Sequence, residues 1–195
     1  MRRAAISLAA GALAVLSGVP YARADHPVER LTAFAVDMST TPDLRFRGAR
    51  SGTVDITIDR WSADQERLKL KAALQEGGAD RLLKELQKIK DPAGRISTPG
   101  SIGTPLRFAW QSTLQDGSRR IVIATDRRIG FFEAVNRPRS SDYPFMVLDL
   151  RIGPDGEGQG KLLPVARIEA SEDNVIEVEN YASEPVRLTK VKVVK

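Results

Sequence analysis

The sequence has no cysteine and one histidine, His26. Without cysteine there is no disulfide, no lipid-attachment thiol, no thiol nucleophile and no Cys-based metal site. A lone histidine beside the expected mature N-terminus, where a chain frays, leaves no basis for a Ser-His-Asp triad, a Cys-His dyad or a His-rich zinc site. Aromatic residues are scarce, at 6 %. There is no phosphate loop, since Gly100-Ser101-Ile102-Gly103 is not followed by Gly-Lys-Ser/Thr, and the same segment lacks the pattern of a nucleophile elbow. No cofactor motif is present and no metal site is expected.

One apolar run stands out. Arg2 and Arg3 precede an apolar stretch from Ala4 to Leu16, and Ala22-Arg23-Ala24 fits the small-x-small cleavage rule. The run is short for a spanning helix. Residues 1–24 therefore read as a signal peptide, and residues 25–195 as one exported domain, periplasmic or extracellular, with no transmembrane segment. Removing the signal takes three arginines and no acid, which leaves 27 basic against 25 acidic residues. A balance that close gives no electrostatic reason to expect nucleic acid as a partner. The remaining 171 residues are enough for one sizeable core.

Period-two alternation dominates that domain. Val54, Ile56 and Ile58 share one face of a strand, with Asp55, Thr57 and Asp59 on the other. Further strands are expected at about 30–38, 106–114, 120–125, 145–152 and 161–168, with a short strand or bend at 129–135 and a final hairpin of 175–181 with 186–193. The near-continuous apolar strand at 120–125 should lie centrally in its sheet. Gln115-Asp116-Gly117-Ser118 reads as a hairpin turn, and 93–105 as a connecting loop. One helical hairpin interrupts the strands at about 63–90. Ser62-Ala63-Asp64-Gln65 reads as its capping box, Gly77-Gly78 as its bend, and Asp91-Pro92 as its end. Leu70 and Leu74, widened by Leu68 and Ala72, form one apolar stripe; Leu82, Leu83, Leu86 and Ile89 form the other. The fold class is α+β, mainly β: an antiparallel sandwich or open barrel of about eight or nine strands, with the helical hairpin inserted after the second strand and covering one mouth or one face.

Three groups of residues invite a chemical reading. Asp155-Gly156-Glu157-Gly158-Gln159-Gly160 offers oxygen ligands but lacks EF-hand spacing, so it reads as a turn. Asp126 and Glu133 flank an apolar segment and are the one pair suited to carboxylate acid/base hydrolysis. Trp61, expected on the polar side of its strand, joins Arg137, Arg139 and Tyr143 as the ligand-binding candidates. Arginine and aromatic side chains together bind anionic or sugar-like ligands by bidentate hydrogen bonds and stacking.

The segments Ile56–Ser62, Ile121–Asp126, Ile129–Ala134 and Asp142–Phe145 resemble those of a group of uncharacterised secreted proteins of environmental bacteria. The resemblance implies export and one intact domain, and carries over no activity and no site residue. The sequence thus favours a non-enzymatic binding or structural protein of the cell envelope, with a small ligand or an envelope component as partner. The alternatives are a carrier of a small apolar molecule in a β-cavity capped by the helical hairpin, and a carboxylate-based hydrolase.

Overall fold

Strand β5 (Arg119–Thr125) is buried on both sides, and the fold follows from why. Ile121 and Ile123 face into a closed barrel, while Val122 and Ala124 face out beneath a helix. The computed structural model describes residues 27–37, 50–127, 145–164, 167–170, 176–179 and 186–194.

Eight strands close the barrel: β1 (Glu29–Asp37), β2 (Arg50–Ile58), β3 (Gly94–Ser97), β4 (Thr104–Thr113), β5, β6 (Met146–Ile152), β7 (Glu157–Pro164) and β10 (Val186–Val194). Each pairs antiparallel with its neighbours in that order, and β10 pairs with β1 to complete the circuit. A separate two-stranded sheet, β8 (Arg167–Ala170) with β9 (Ile176–Glu179), lies in the connection between β7 and β10. The α+β, mainly β class holds, as a closed barrel and not a sandwich or open sheet. Closure removes the two free edges that an open sheet would expose.

Alternation places one face of every barrel strand inside. Leu31, Val54, Ile56, Ile58, Leu148 and Leu150 are among the inward residues and have almost no exposure. Eight strands enclose a space just wide enough for side chains to fill. Outward positions on β7 and β10 are polar and exposed: Glu157, Gln159, Lys161, Arg187 and Lys192. Apolar inside and charged outside is the reverse of a membrane-spanning barrel. Among the described residues, no helix is long and apolar enough to cross a membrane.

Helix α1 (Asp64–Lys88) follows β2 and bends at Gly77 and Gly78, where φ/ψ leave the helical region and Gly78 takes φ +61°. The two arms are those expected from the sequence. Leu70, Leu74, Leu82 and Leu86 are buried against Phe108, Val122, Ala124 and Val147. The stripe is narrower than the sequence suggests, since Leu68 is 57 % exposed. The hairpin therefore lies on the outer wall formed by β4, β5 and β6.

Four local expectations are corrected. The N-cap of α1 is Ala63, and the carboxylate that reaches back to its N–H is Glu66 at 3.2 Å, not Gln65. Ser62 is instead buried, its hydroxyl accepting the Ala109 N–H at 3.2 Å while its own N–H donates to the Ala109 carbonyl at 2.7 Å. The loop expected at 93–105 contains β3, a four-residue strand with only Ile96 as a large inward apolar residue, too short for alternation to register. The expected final hairpin does not form: the strand at 176–179 pairs back with β8, and 186–194 joins β7 and β1. Lastly, β7 begins inside the glycine-dense segment. Gly158 and Gly160 are strand residues whose missing Cβ atoms allow close approach, a Cβ at Gly158 lying 2.1 Å from the Arg151 carbonyl oxygen. The expected strand or bend at 129–135 lies outside the described residues.

Candidate functional site

Trp61 is the one proposed ligand-binding residue among those described; Arg137, Arg139 and Tyr143 lie outside them. Strand β2 ends at Ile58, three residues earlier than alternation suggests, and the chain turns so that Asp59 and Arg60 donate to the Ala93 carbonyl. That turn takes Trp61 off the polar face of β2. Its half-buried ring packs against the barrel-interior cluster, an edge-of-core role. The same end of the barrel carries an inward-facing bridge. Arg119 donates to both Glu29 oxygens, at 2.7 and 2.9 Å, and to the Gln111 side-chain oxygen at 2.8 Å. Hydrogen bonds donated to Glu29 raise the Arg119 pKa, opposed by burial.

Asp126, half of the proposed carboxylate pair, is held by Arg107, with Nε 3.0 Å from Oδ2. Arg107 also donates to the Ile89 carbonyl at 2.9 Å, so the pair fixes the end of α1. Glu133 lies outside the described residues. The Asp155 segment is a turn: Gly156 has φ +79° and its N–H donates to the Gly153 carbonyl, while Asp155 accepts from the Glu157 N–H at 3.1 Å. Among the described residues no cluster of three or more His, Asp or Glu side chains could hold a metal.

The cationic side chains converge elsewhere, on the outer wall of β5, β6, β7 and β10. A groove of about 590 Å3 is lined there by Arg120, Arg151, Lys161, Arg187, Asp149 and Thr189, among others. Register builds it. Arg120 sits directly opposite Arg151 across β5 and β6, and Lys161 directly opposite Arg187 across β7 and β10. Like charges directly opposed across a sheet are destabilising. The same two strands do better toward their other end, where Lys192 opposes Glu157 and bonds it at 2.8 Å.

The first pair of arginines is relieved by acids. Asp149 accepts from Arg120 Nε at 2.9 Å and Nη2 at 2.7 Å, a two-point bridge. Hydrogen bonds donated to Asp149 raise the Arg120 pKa, with burial opposing. Arg151 turns to Asp116 at 2.5 Å and to the Ser118 hydroxyl at 3.2 Å. Asp149 is also the cross-strand neighbour of Lys161, but Arg120 occupies both its oxygens. Among the described residues, Lys161 and Arg187 make no ion pair, and both are exposed.

Beside this groove is a second recess. Between α1 and the barrel wall an apolar crevice of about 80 Å3 is lined by Leu74, Leu82, Phe108, Val122 and Ala124, with Arg67, Trp110 and Arg120 among its other walls. The Arg67 guanidinium lies over the Trp110 ring, 4.9 Å from its centroid. Arg120 lines both recesses.

Sequence reasoning passed over all four groove cations. They lie on four different strands, and only the register, above all the pairing of β10 with β7, brings them into one patch. No protein-family model, curated protein or solved structure matches the chain.

Proposed function

We propose that this chain is an exported, non-enzymatic binding domain of the cell envelope that takes an anionic ligand, carrying phosphate or carboxylate groups, in the groove on its outer wall. One observation carries the reading: two like-charged pairs, Arg120 with Arg151 and Lys161 with Arg187, are opposed in register on the same face, and among the described residues the second pair makes no ion pair with an acid. A bound anion supplies that acid. Guanidinium forks and a lysine ammonium are the groups that recognise phosphate and carboxylate. The apolar filling of the barrel interior directs binding to the outside surface. The arginine-rich residues 137–139 and the signal read from residues 1–24 belong to the same proposal.

Calorimetric titration with inorganic pyrophosphate and with citrate at low ionic strength tests it. Both are expected to bind, with affinity falling as salt rises. Lys161→Glu and Arg187→Glu should each weaken binding about tenfold or more, a loss of about 1.4 kcal/mol. Absence of binding by either anion, or binding indifferent to both substitutions, would overturn the reading.

A further inference from the structure

We infer that the anion bound in the groove is the head of an amphiphile whose alkyl segment enters the crevice beneath α1. This rests on the anion-binding reading above and extends it to the class of ligand. Two recesses of opposite character meet at one side chain: Arg120 lines both the cationic groove and the apolar crevice. Its guanidinium has five N–H groups, of which two are taken by Asp149, so donors remain for a head group at the junction. The crevice walls are Leu74 and Leu82 from the two arms of α1, and Phe108, Val122 and Ala124 from the barrel. Apolar cavities stay dry and accept apolar guests. A volume of about 80 Å3 is under three times the roughly 30 Å3 share of one water in the liquid, so only a short stretch of chain fits. Charge complementarity names the occupant: the rim of the crevice carries Arg67 and Arg120, which suits an anionic amphiphile over a neutral one. Most of the crevice lining is aliphatic and aromatic, which suits an alkyl chain over a sugar.

The size of the crevice sets a quantitative expectation. Each methylene removed from water contributes about 0.8 kcal/mol, which corresponds to roughly a fourfold gain in affinity. The gain should hold for the first few methylenes and stop when the crevice is full.

Calorimetry with a homologous series of straight-chain alkyl phosphates, methyl to octyl, reads this directly on the wild-type protein. Affinity is expected to rise about fourfold per carbon up to about three carbons and then level. Ala124→Val and Ala124→Leu, which add bulk inside the crevice, should flatten the rise while leaving methyl phosphate affinity unchanged; thermal melting establishes that each variant is folded. The matching alkyl alcohols are expected not to bind. If methyl phosphate binds and the series is flat, the tail does not enter and this inference is overturned while the anion site stands. If the alcohols bind as well as the phosphates, the crevice is a purely apolar site and the inference is again overturned. If no phosphate binds, methyl phosphate and pyrophosphate included, the anion-binding reading falls and takes this one with it. Should either Ala124 variant fail to fold, the wild-type series decides the matter alone.

Discussion

Glu29 and Arg119 stand on strands halfway round the barrel from each other, yet their side chains meet in a two-point bridge of 2.7 and 2.9 Å across its mouth. Glu29 opens β1 and Arg119 opens β5, each pointing inward in phase with Leu31 and Ile121. Gln111, in phase with Ala109 on β4, accepts a third hydrogen bond from the same guanidinium. The barrel is thus tied across its diameter as well as around its circumference.

Removing one partner of this bridge leaves the other charge poorly satisfied in a half-buried place. Glu29→Ala is expected to destabilise the protein by about 2 kcal/mol, and Glu29→Ala with Arg119→Met by less than the sum of the single changes. Urea unfolding of the four proteins in the cycle checks both statements; additive effects would mean that the bridge contributes nothing as a pair.

Arg60 joins the two feet of the helical insertion. It donates to both Glu66 oxygens, at 3.0 and 3.2 Å in the first turn of α1, and to the Asp91 carbonyl at 2.8 Å beyond its end. Burial raises the Glu66 pKa, but hydrogen bonds from Arg60, Ser62 and the Ala63 backbone outweigh it and the net shift is downward. Arg60→Met should cost about 1–2 kcal/mol, given partial exposure. Amide hydrogen exchange should locate the loss, with faster exchange over residues 64–88 than in β5 or β6.

Acid should release the β4–β5 turn. Asp116 is held at about 2, from an ordinary 3.8, by hydrogen bonds from the Ser118 hydroxyl, then Arg151, then the Ser118 backbone. A carboxyl whose folded value is lowered stabilises the fold fully above its unfolded pKa and loses that contribution as pH falls through the folded one. The difference in melting temperature between wild type and Asp116→Asn should therefore be complete at neutral pH, shrink from about pH 3.8 downward, and be gone below about pH 2. A difference that persists below that range would contradict the assignment.

Two glycines should respond to alanine for different reasons. At Gly94 a Cβ would lie 2.0 Å from the Thr57 carbonyl oxygen, a backbone atom that cannot yield without breaking the β2–β3 ladder. Gly94→Ala is expected to cost about 3 kcal/mol or more. At Gly78 nothing lies within 4 Å of the position, and only φ +61° resists a side chain. Gly78→Ala should cost about 1–2 kcal/mol, since φ +61° with ψ −155° is a region essentially confined to glycine. Equal losses in denaturant unfolding would refute this distinction.

The sequence made the barrel legible strand by strand and left its assembly hidden. Val54, Ile56 and Ile58, or Met146 to Ile152, announce an inward face because alternation is local. The doubly buried β5 is legible too, since Ile121 to Ala124 has no polar residue to face water. Pairing is not local. Nothing in Val186 to Val194 shows that this strand passes over β8 and β9 to join β7, and that choice alone places Arg187 opposite Lys161. Trp61 misleads for a similar reason: alternation extrapolated past Ile58 puts it on the wrong face, because hydrogen bonds to Ala93, in the connection leading to β3, end the strand first. The candidate site is the product of register, the one property that composition and periodicity do not encode.

The seam between β1 and β10 also has a bearing on time. It matches Arg30 with Val194, almost the full length of the chain apart. Every other barrel pairing except β10 with β7 joins strands consecutive around a simple meander, so seven strands can line up as the chain emerges, while the ring stays open until the nine residues of β10 arrive. Until then β1 and β7 present unpaired edges, and the apolar inner face lies open to water or to a chaperone. Closure is the pairing of longest range in the chain, and long-range pairing slows folding. The barrel therefore cannot close until β10 has been made, whatever the other seven strands have done before it.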